Sequence, residues 1–359
     1  MPVILTPEQR DAIFYLTDFN ARIQTLGGYA GTGKTTVIKT LKQKLPDFAV
    51  CAFTGKAANV LRRKRVVAST IHSLIYKVIE SKRKDALGKE HSFTEFRLRT
   101  PDELDCRGII VDEASMVSRE IYNDLVSFDL PVIFVGDHGQ LEPVGGEGFD
   151  LMAKLDVKLE KVHRNAGEIL HFANFLREGN AASDWRRHEL CTGEGVELIR
   201  YRHIGDLGAK ADQMICAFNK HRIFYNQQRR EQLGYPANRP VVGDRVMCLQ
   251  NQAITGVYNG MQGTIAAIFG DDEMEFSAND RDYRVKFFPE QFNRVERERF
   301  SKSMRLPFDY CYCITAHKAQ GDEWDHVLAI EQVCPAWEHK RWAYTVASRA
   351  RTRLSWVYA

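Results

Sequence analysis

Residues Gly28-Tyr29-Ala30-Gly31-Thr32-Gly33-Lys34-Thr35 fit the pattern GxxxxGK[ST]. An apolar stretch, Ile23–Leu26, precedes them, and a helical pattern over Thr35–Leu45 follows, with Val37, Ile38, Leu41 and Leu45 on one face. No other feature constrains the chain as much, because it demands a strand, a tight glycine loop and a helix in immediate succession. Backbone N–H groups of such a loop curl around phosphate oxygens, and the positive helix start adds to the attraction. The spacing therefore predicts a nucleotide site: Gly28, Gly31, Thr32, Gly33 and Thr36 cradle phosphates, Lys34 reaches the β and γ phosphates, and Thr35 is a Mg²⁺ ligand.

The rest of the chain suits an α/β fold with parallel sheets. Apolar runs at Phe48–Phe53, Gly108–Val111, Pro131–Val135, Val196–Arg200, Gln213–Phe218, Tyr310–Thr315, Val327–Ile330 and Leu354–Tyr358 read as strands separated by helical patterns. Two stretches break this rhythm. Residues 76–106 are polar and basic; residues 243–309 hold short β segments (Arg245–Leu249, Gly263–Phe269, Tyr283–Phe288) with turns at Asn259-Gly260 and Gly270-Asp271-Asp272. The expectation is two α/β cores, each with an insert: 1–75 with 107–165, interrupted by 76–106, and 166–242 with 310–359, interrupted by a small β-barrel at 243–309.

At 359 residues and 44% hydrophobic, the chain can fill such cores. The eight cysteines show no CxxC pair and no zinc-ligand spacing. The N-terminal sequence has no basic region followed by an apolar one, and no apolar run approaches membrane length. Reduced thiols in a cytoplasmic protein, with no membrane partner, are expected.

A phosphate loop that hydrolyses its ligand needs a carboxylate at the tip of another parallel strand. Gly108-Ile109-Ile110-Val111-Asp112-Glu113 supplies two. Asp112 is the candidate Mg²⁺ ligand and Glu113 the base on the attacking water.

From here the motifs resemble a family. Val111-Asp112-Glu113-Ala114-Ser115-Met116-Val117 and Val135-Gly136-Asp137-His138-Gly139-Gln140-Leu141-Glu142-Pro143 are similar to motifs II and III of superfamily-1 helicases, in the B-type, 5′→3′ branch of RecD-like and phage Dda-like enzymes. Phe53-Thr54-Gly55-Lys56 resembles motif Ia, and Ser69-Thr70-Ile71-His72 the DNA-contacting motif after it. Val162-His163-Arg164-Asn165, Ile314-Thr315-Ala316-His317-Lys318-Ala319-Gln320-Gly321 and Tyr344-Thr345-Val346-Ala347-Ser348-Arg349-Ala350-Arg351 resemble motifs IV, V and VI, in family order. The resemblance runs from Leu5 to the C-terminus; the two inserts match in position more than in sequence.

The resemblance implies two RecA-like motor cores and an ATP-dependent helicase stepping 5′→3′ along single-stranded DNA as a monomer. Gln9 stands where the family reads adenine, although Thr6, Pro7 and Gln9 also form a capping box that starts a helix without any ligand. Gln140 would hold the attacking water or the γ-phosphate, and Gly321 would lie at the nucleotide. Arg164 and Arg349 would offset charge on the phosphoryl oxygens. Strand contacts would come from Thr54, Lys56, Thr70, His72 and Pro143 on the first core, and Thr315 and His317 on the second. In the basic insert, Phe93 or Phe96 would wedge at the single-strand/duplex junction, since aromatic stacking tolerates any base. The second insert resembles the SH3-like barrel of B-type relatives, a clamp, a brace or a passive module.

Two other readings stay open: the motor subunit of a recombination nuclease complex, and an RNA remodeller. The first ranks lower because its relatives carry a further N-terminal domain and this phosphate loop begins at residue 28. Single-strand-binding, replication or recombination proteins are the expected protein partners, in a bacterial or phage-infected cytoplasm. The net charge of +3 hides a polarity: residues 56–107 hold 13 Lys and Arg against 7 Asp and Glu, residues 108–160 only 3 against 11. A basic strand-binding stretch adjoins an acidic catalytic one.

Overall fold

The computed structural model describes residues 5–18, 21–84, 90–142, 149–161, 167–201, 207–252, 255–294, 305–333 and 338–358. The chain divides into two compact units, Met1–Gly179 with Lys340–Ser348, and Asn180–His339 with Arg349–Ala359.

The first unit begins with α1 (Pro7–Thr17), β1 (Ile23–Gly28), α2 (Lys34–Lys44), β2 (Phe48–Ala52), α3 (Gly55–Arg63), β3 (Ser69–Thr70) and α4 (Ile71–Ile75). A hairpin, β4 (Tyr76–Lys84) with β5 (Glu90–Leu98), interrupts it before β6 (Gly108–Asp112), α5 (Arg119–Val126), β7 (Val132–Gly136), β8 (Val157–Leu159) and α6 (Gly167–Arg177). Six strands form a parallel sheet in the order β3-β2-β6-β7-β1-β8. Its central strands are apolar because both faces are covered: Ile109, Ile110, Val111, Val132, Ile133, Phe134 and Val135 are fully buried. Helix α2 lays Val37, Ile38 and Leu41 on the sheet.

The second unit contains β9 (Val196–Arg200), α7 (Leu207–Lys210), β10 (Gln213–Cys216), α8 (Asn219–Gln232), β11 (Arg245–Cys248), β12 (Gln262–Phe269), β13 (Glu273–Ala278), β14 (Arg281–Lys286), β15 (Phe308–Tyr310), β16 (Cys313–Thr315), α9 (Ala316–Ala319) and β17 (Trp324–Ile330). Then α10 (His339–Ala347) joins the first unit from residue 340 to residue 348, and β18 (Ala350–Tyr358) returns to the second. One sheet is parallel, β16-β10-β17-β18-β9; the other is antiparallel, β14-β13-β12-β11-β15.

The expected single strand Tyr310–Thr315 is in fact two. Tyr310 closes the antiparallel sheet against Val246, while Cys313 opens a parallel pairing with Met214. The break at Cys311-Tyr312 has a cause: Cys311 N–H donates to Arg245 O, and the Tyr312 hydroxyl donates to Asp244. These bonds turn the chain from one sheet into the other. Strand β13 was not anticipated, though its burial alternates residue by residue and its hairpin to β14 turns on Asn279 and Asp280, both at positive φ.

Helix α8 anchors the antiparallel sheet through one buried polar face. Arg222, Asn226 and Arg230 stand four residues apart, hence on one side of the helix. Arg222 pairs with Asp309 (2.6 Å), Asn226 bonds Tyr310 O and both backbone polar groups of Cys313, and Arg230 takes Asp244 through two nitrogens (2.8 and 3.0 Å).

Candidate nucleotide site

In an open parallel sheet, ligands bind beyond the carboxyl ends of the strands, beside a topological switch point. Here β1 is followed by the phosphate loop, and the ends of β6 and β7 present Asp112 and Gly136-Asp137 at the same edge. Register fixes this level: Gly27 pairs with Gly136, and Val111 with Phe134.

The loop has the form its glycines require. Gly31 and Gly33 sit at φ 80° and 88°, which side chains bearing a Cβ rarely adopt, and Gly33 starts α2. Thr32 is buried, and its hydroxyl donates to Tyr29 O (2.8 Å). Lys34 folds over the loop, donating to the Gly28 and Tyr29 carbonyls, with Asp137 at 3.6 Å. Thr35 faces Lys64, whose ammonium lies 3.5 Å from its hydroxyl.

Gln9 comes to the same loop, but as a brace. Its Oε1 accepts from Thr6 N–H (3.1 Å), its own N–H donates to the Thr6 hydroxyl (3.2 Å), and its Nε2 donates to Thr32 O (3.0 Å). The capping box is present, and the amide also ties α1 to the loop.

Asp112 and Glu113 hold unusual states. Burial, then the neighbouring Glu113 charge, push the Asp112 carboxyl up to about 7, against the Glu113 N–H and the charges of Lys34 and Lys64. Glu113 stands at φ 55°, ψ 41°, the left-handed region, which costs a non-glycine residue on the order of 1–3 kcal/mol. Two carboxylates forced together carry a repulsion that a divalent cation relieves, and with a hydroxyl they are oxygen ligands of the kind Mg²⁺ takes. Thr35 and Asp112 fit Mg²⁺ on that ground.

Next to them, buried Asp137 accepts from Gly139 N–H (3.0 Å), and Gln140 Nε2 lies 3.4 Å from it. The Oε1 of Gln140 is buried with no hydrogen-bond partner among the described residues. An acceptor left open beside the phosphate loop suits an O–H group brought by a ligand or a water.

The remaining candidates divide by unit. In the first, the Thr54 and Thr70 hydroxyls cap α3 and α4, accepting from Ala57 and Ser73 N–H (3.1 Å each). Lys56 lies in the first turn of α3; His72 lies beside Tyr76 and is held below the usual imidazole range by burial. Phe96 lies on β5, nearly half exposed, while of Phe93 only its place on β5 is described. In the second, Thr315 precedes α9, His317 lies in it with its pKa lowered by burial, and Gly321 takes φ 77°. Buried Arg349 donates to Asp322 O (3.3 Å) within that unit. Pro143 and Arg164 lie outside the described residues. Sequence reasoning did not single out Asp137, Tyr29, Arg177 or Tyr344 as site residues. Asp137 was findable as the acid ending the apolar run Val132–Gly136, the same signal that marked Asp112.

A parallel sheet whose first strand opens into this loop, with acids ending two neighbouring strands, defines a P-loop α/β protein. Residues 4–191, just over half the chain, match the AAA domain model, and residues 310–357 match the UvrD-like helicase C-terminal domain. Over 93% of the chain, the sequence is 28% identical to the ATP-dependent RecD2 DNA helicase of Deinococcus radiodurans, covering 46% of that protein. It is 30% identical over 48% of its length to the ATP-dependent DNA helicase dda of Enterobacteria phage T4, covering 40% of it, and 26% identical over 99% to the conjugal transfer protein TraA of Rhizobium radiobacter, covering 32%. The chain thus spans about a third to a half of the length of these three relatives. Among solved structures, Bacteroides Pif1 bound to single-stranded DNA is similar in fold, with a TM-score of 0.62 at 20% identity over 99% of this chain and 92% of that one. The chain belongs to the AAA domain family, and its sequence is similar to RecD-like and Dda-like helicases.

Proposed function

We propose that this chain is an ATP-driven DNA helicase that moves 5′→3′ on single-stranded DNA and opens duplexes at single-strand/duplex junctions. The observation that carries the reading is the edge of the first unit's sheet, where Lys34, Asp112, Glu113 and Gln140 come together at the ends of β1, β6 and β7. Lys34 would exchange the Gly28 and Tyr29 carbonyls for phosphate oxygens. Glu113 would take the proton of the attacking water, and Gln140 Oε1 would orient that water by accepting its other O–H. Mg²⁺, held by Thr35 and Asp112, would supply charge neutralisation on the phosphates. Arg349 and Arg164 would offset charge on the phosphoryl oxygens.

The strand would run over Thr54, Lys56, Thr70, His72 and Pro143, then Thr315 and His317, with backbone contacts indifferent to base sequence. The β4–β5 hairpin would carry the wedge, with exposed Phe96 the better placed candidate. The antiparallel sheet of the second unit would be the SH3-like module that braces the strand, in a protein acting as a monomer with the core and insert boundaries expected above. Supporting the reading are the relatives' names and the motif order.

The test is unwinding of partial duplexes with 5′ or 3′ tails, in DNA and in RNA, with ATP and Mg²⁺. Opening from a 5′ DNA tail, lost in Lys34→Ala, is the expected result. ATP hydrolysis without unwinding from any tail would favour a motor subunit, and preference for RNA tails a remodeller; either would overturn the leading reading.

A further inference from the structure

We propose that Tyr344 is a positioning residue for the nucleotide site, its hydroxyl fixing the phosphate loop and Asp137 to each other. This rests on the nucleotide reading above and adds a residue to it. Tyr344 is fully buried on α10, and its hydroxyl stands between two partners. It accepts from Ala30 N–H, within the phosphate loop, at 2.6 Å, and donates to Asp137 Oδ2 at 2.7 Å. The same Oδ2 lies 3.6 Å from the Lys34 ammonium. A single phenol oxygen therefore sets the loop backbone on one side and the carboxylate facing the loop lysine on the other.

The surroundings are built around that ring. Gly139 leaves room for it: a Cβ there would stand 3.0 Å from the Tyr344 ring and 3.1 Å from the Tyr29 ring. Those two rings meet edge to face at 6.1 Å, and the Arg177 guanidinium covers Tyr29 at 3.8 Å. The neighbouring Thr345 hydroxyl accepts from Leu141 N–H (3.0 Å), and Arg341 pairs with Asp150 (3.1 Å) and Glu142 (3.2 Å). Helix α10 thus holds the segment after β7 at several points, and the Tyr344 hydroxyl also bonds the phosphate loop. When phosphate draws Lys34 from its resting partners, Asp137 Oδ2 keeps the short bond from the Tyr344 hydroxyl, beside the Gly139 N–H on Oδ1. Without the hydroxyl, Ala30 N–H and Asp137 each lose a partner, and the loop is free to shift off the geometry that phosphate needs.

The experiment compares the parent with Tyr344→Phe, which keeps the ring, Gly139→Ala, which crowds it, and Tyr312→Phe. The last removes another buried phenol bond to a carboxylate, Tyr312 to Asp244 in the second unit. Readouts are affinity for a fluorescent ATP analogue, KM and kcat for ATP hydrolysis, and the thermal midpoint. Hydrogen bonds to charged groups are worth about tenfold or more in an equilibrium. Tyr344→Phe should weaken analogue binding and raise KM about tenfold while kcat changes far less, and Gly139→Ala should move both constants the same way. Tyr312→Phe should lower the thermal midpoint and leave nucleotide affinity alone. Parental affinity and KM in Tyr344→Phe, or equal weakening by both phenylalanine variants, would overturn the positioning role. Lys34→Ala separates the two ideas: binding by the parent that is lost in Lys34→Ala upholds the nucleotide site whatever Tyr344→Phe does, and no binding by the parent overturns both.

Discussion

The Arg230–Asp244 pair offers the most direct test of how the second unit is held together. Both side chains are buried, and every polar group is engaged: Arg230 also donates to Pro236 O and Arg239 O, while Asp244 also accepts from Val241 N–H and the Tyr312 hydroxyl. The guanidinium stacks on Tyr310 at 4.0 Å. Asp244→Ala removes the only charge facing Arg230 among these contacts and strips four donor groups of their acceptor. Breaking a buried pair from one side costs about 3–5 kcal/mol, because the remaining ion keeps its desolvation penalty. Against a typical domain stability of about 5–15 kcal/mol, that is a large fraction.

With a urea slope of about 2–3 kcal/mol/M, the midpoint should fall by about 1–2 M. Tryptophan fluorescence suits the assay, since Trp185, Trp324 and Trp356 lie in the second unit. Replacing both partners with apolar residues, Arg230→Met with Asp244→Leu, should recover most of the loss, since neither ion then remains unpaired. A midpoint shift under about 0.3 M for Asp244→Ala, or a double variant no better than the single, would refute the reasoning. Nucleotide-analogue binding by the first unit should survive in Asp244→Ala, which localises the damage.

Glu113→Gln should hold ATP but hydrolyse it about 10²–10⁴-fold more slowly, as expected on loss of a general base; unchanged turnover would remove Glu113 from that role. Glu113→Gly should be as inactive yet more stable than Glu113→Gln by about 0.5–1 kcal/mol, because glycine relieves the left-handed backbone, and a glycine variant that melts first would contradict the strain. His72 and His317 are held below the usual imidazole range by burial, so the unfolded chain binds more protons than the folded one below about pH 6.5. Stability should therefore be full above that pH and fall as pH drops towards 5; melting curves at pH 5.5 and 7.5 check this, and His72→Asn or His317→Asn should shrink the difference. Phe96→Ala should slow unwinding while leaving DNA-stimulated ATP hydrolysis intact, and equal unwinding would discard Phe96 as the wedge.

What the sequence revealed and what it hid follow one physical rule. The phosphate loop and the Asp112-Glu113 strand end were legible because strand, loop and helix succeed one another within a few residues, so local pattern carries the geometry. Thr54 and Thr70 were legible as residues in a motif, yet their hydroxyls cap helices, a use that Ser and Thr before a helix always permit. The polar face of α8 was hidden for the opposite reason. Nothing local marks Arg222 and Arg230 as buried, since charged residues rarely are. Their partners stand 87 and 14 residues further along, where no local pattern joins them.

Tyr344 joins the two cases. Its place in a motif was visible, but the partners of its hydroxyl are 314 and 207 residues away. Only the folding of α10 onto the first unit brings them together. A chain that leaves one unit at residue 339 and re-enters it at residue 349 needs something to hold the intervening helix. The bonds of Arg341, Tyr344 and Thr345 meet that need, and the Tyr344 bond ends in the phosphate loop. Any force that moves α10 must therefore act on the candidate nucleotide site through the phenol hydroxyl.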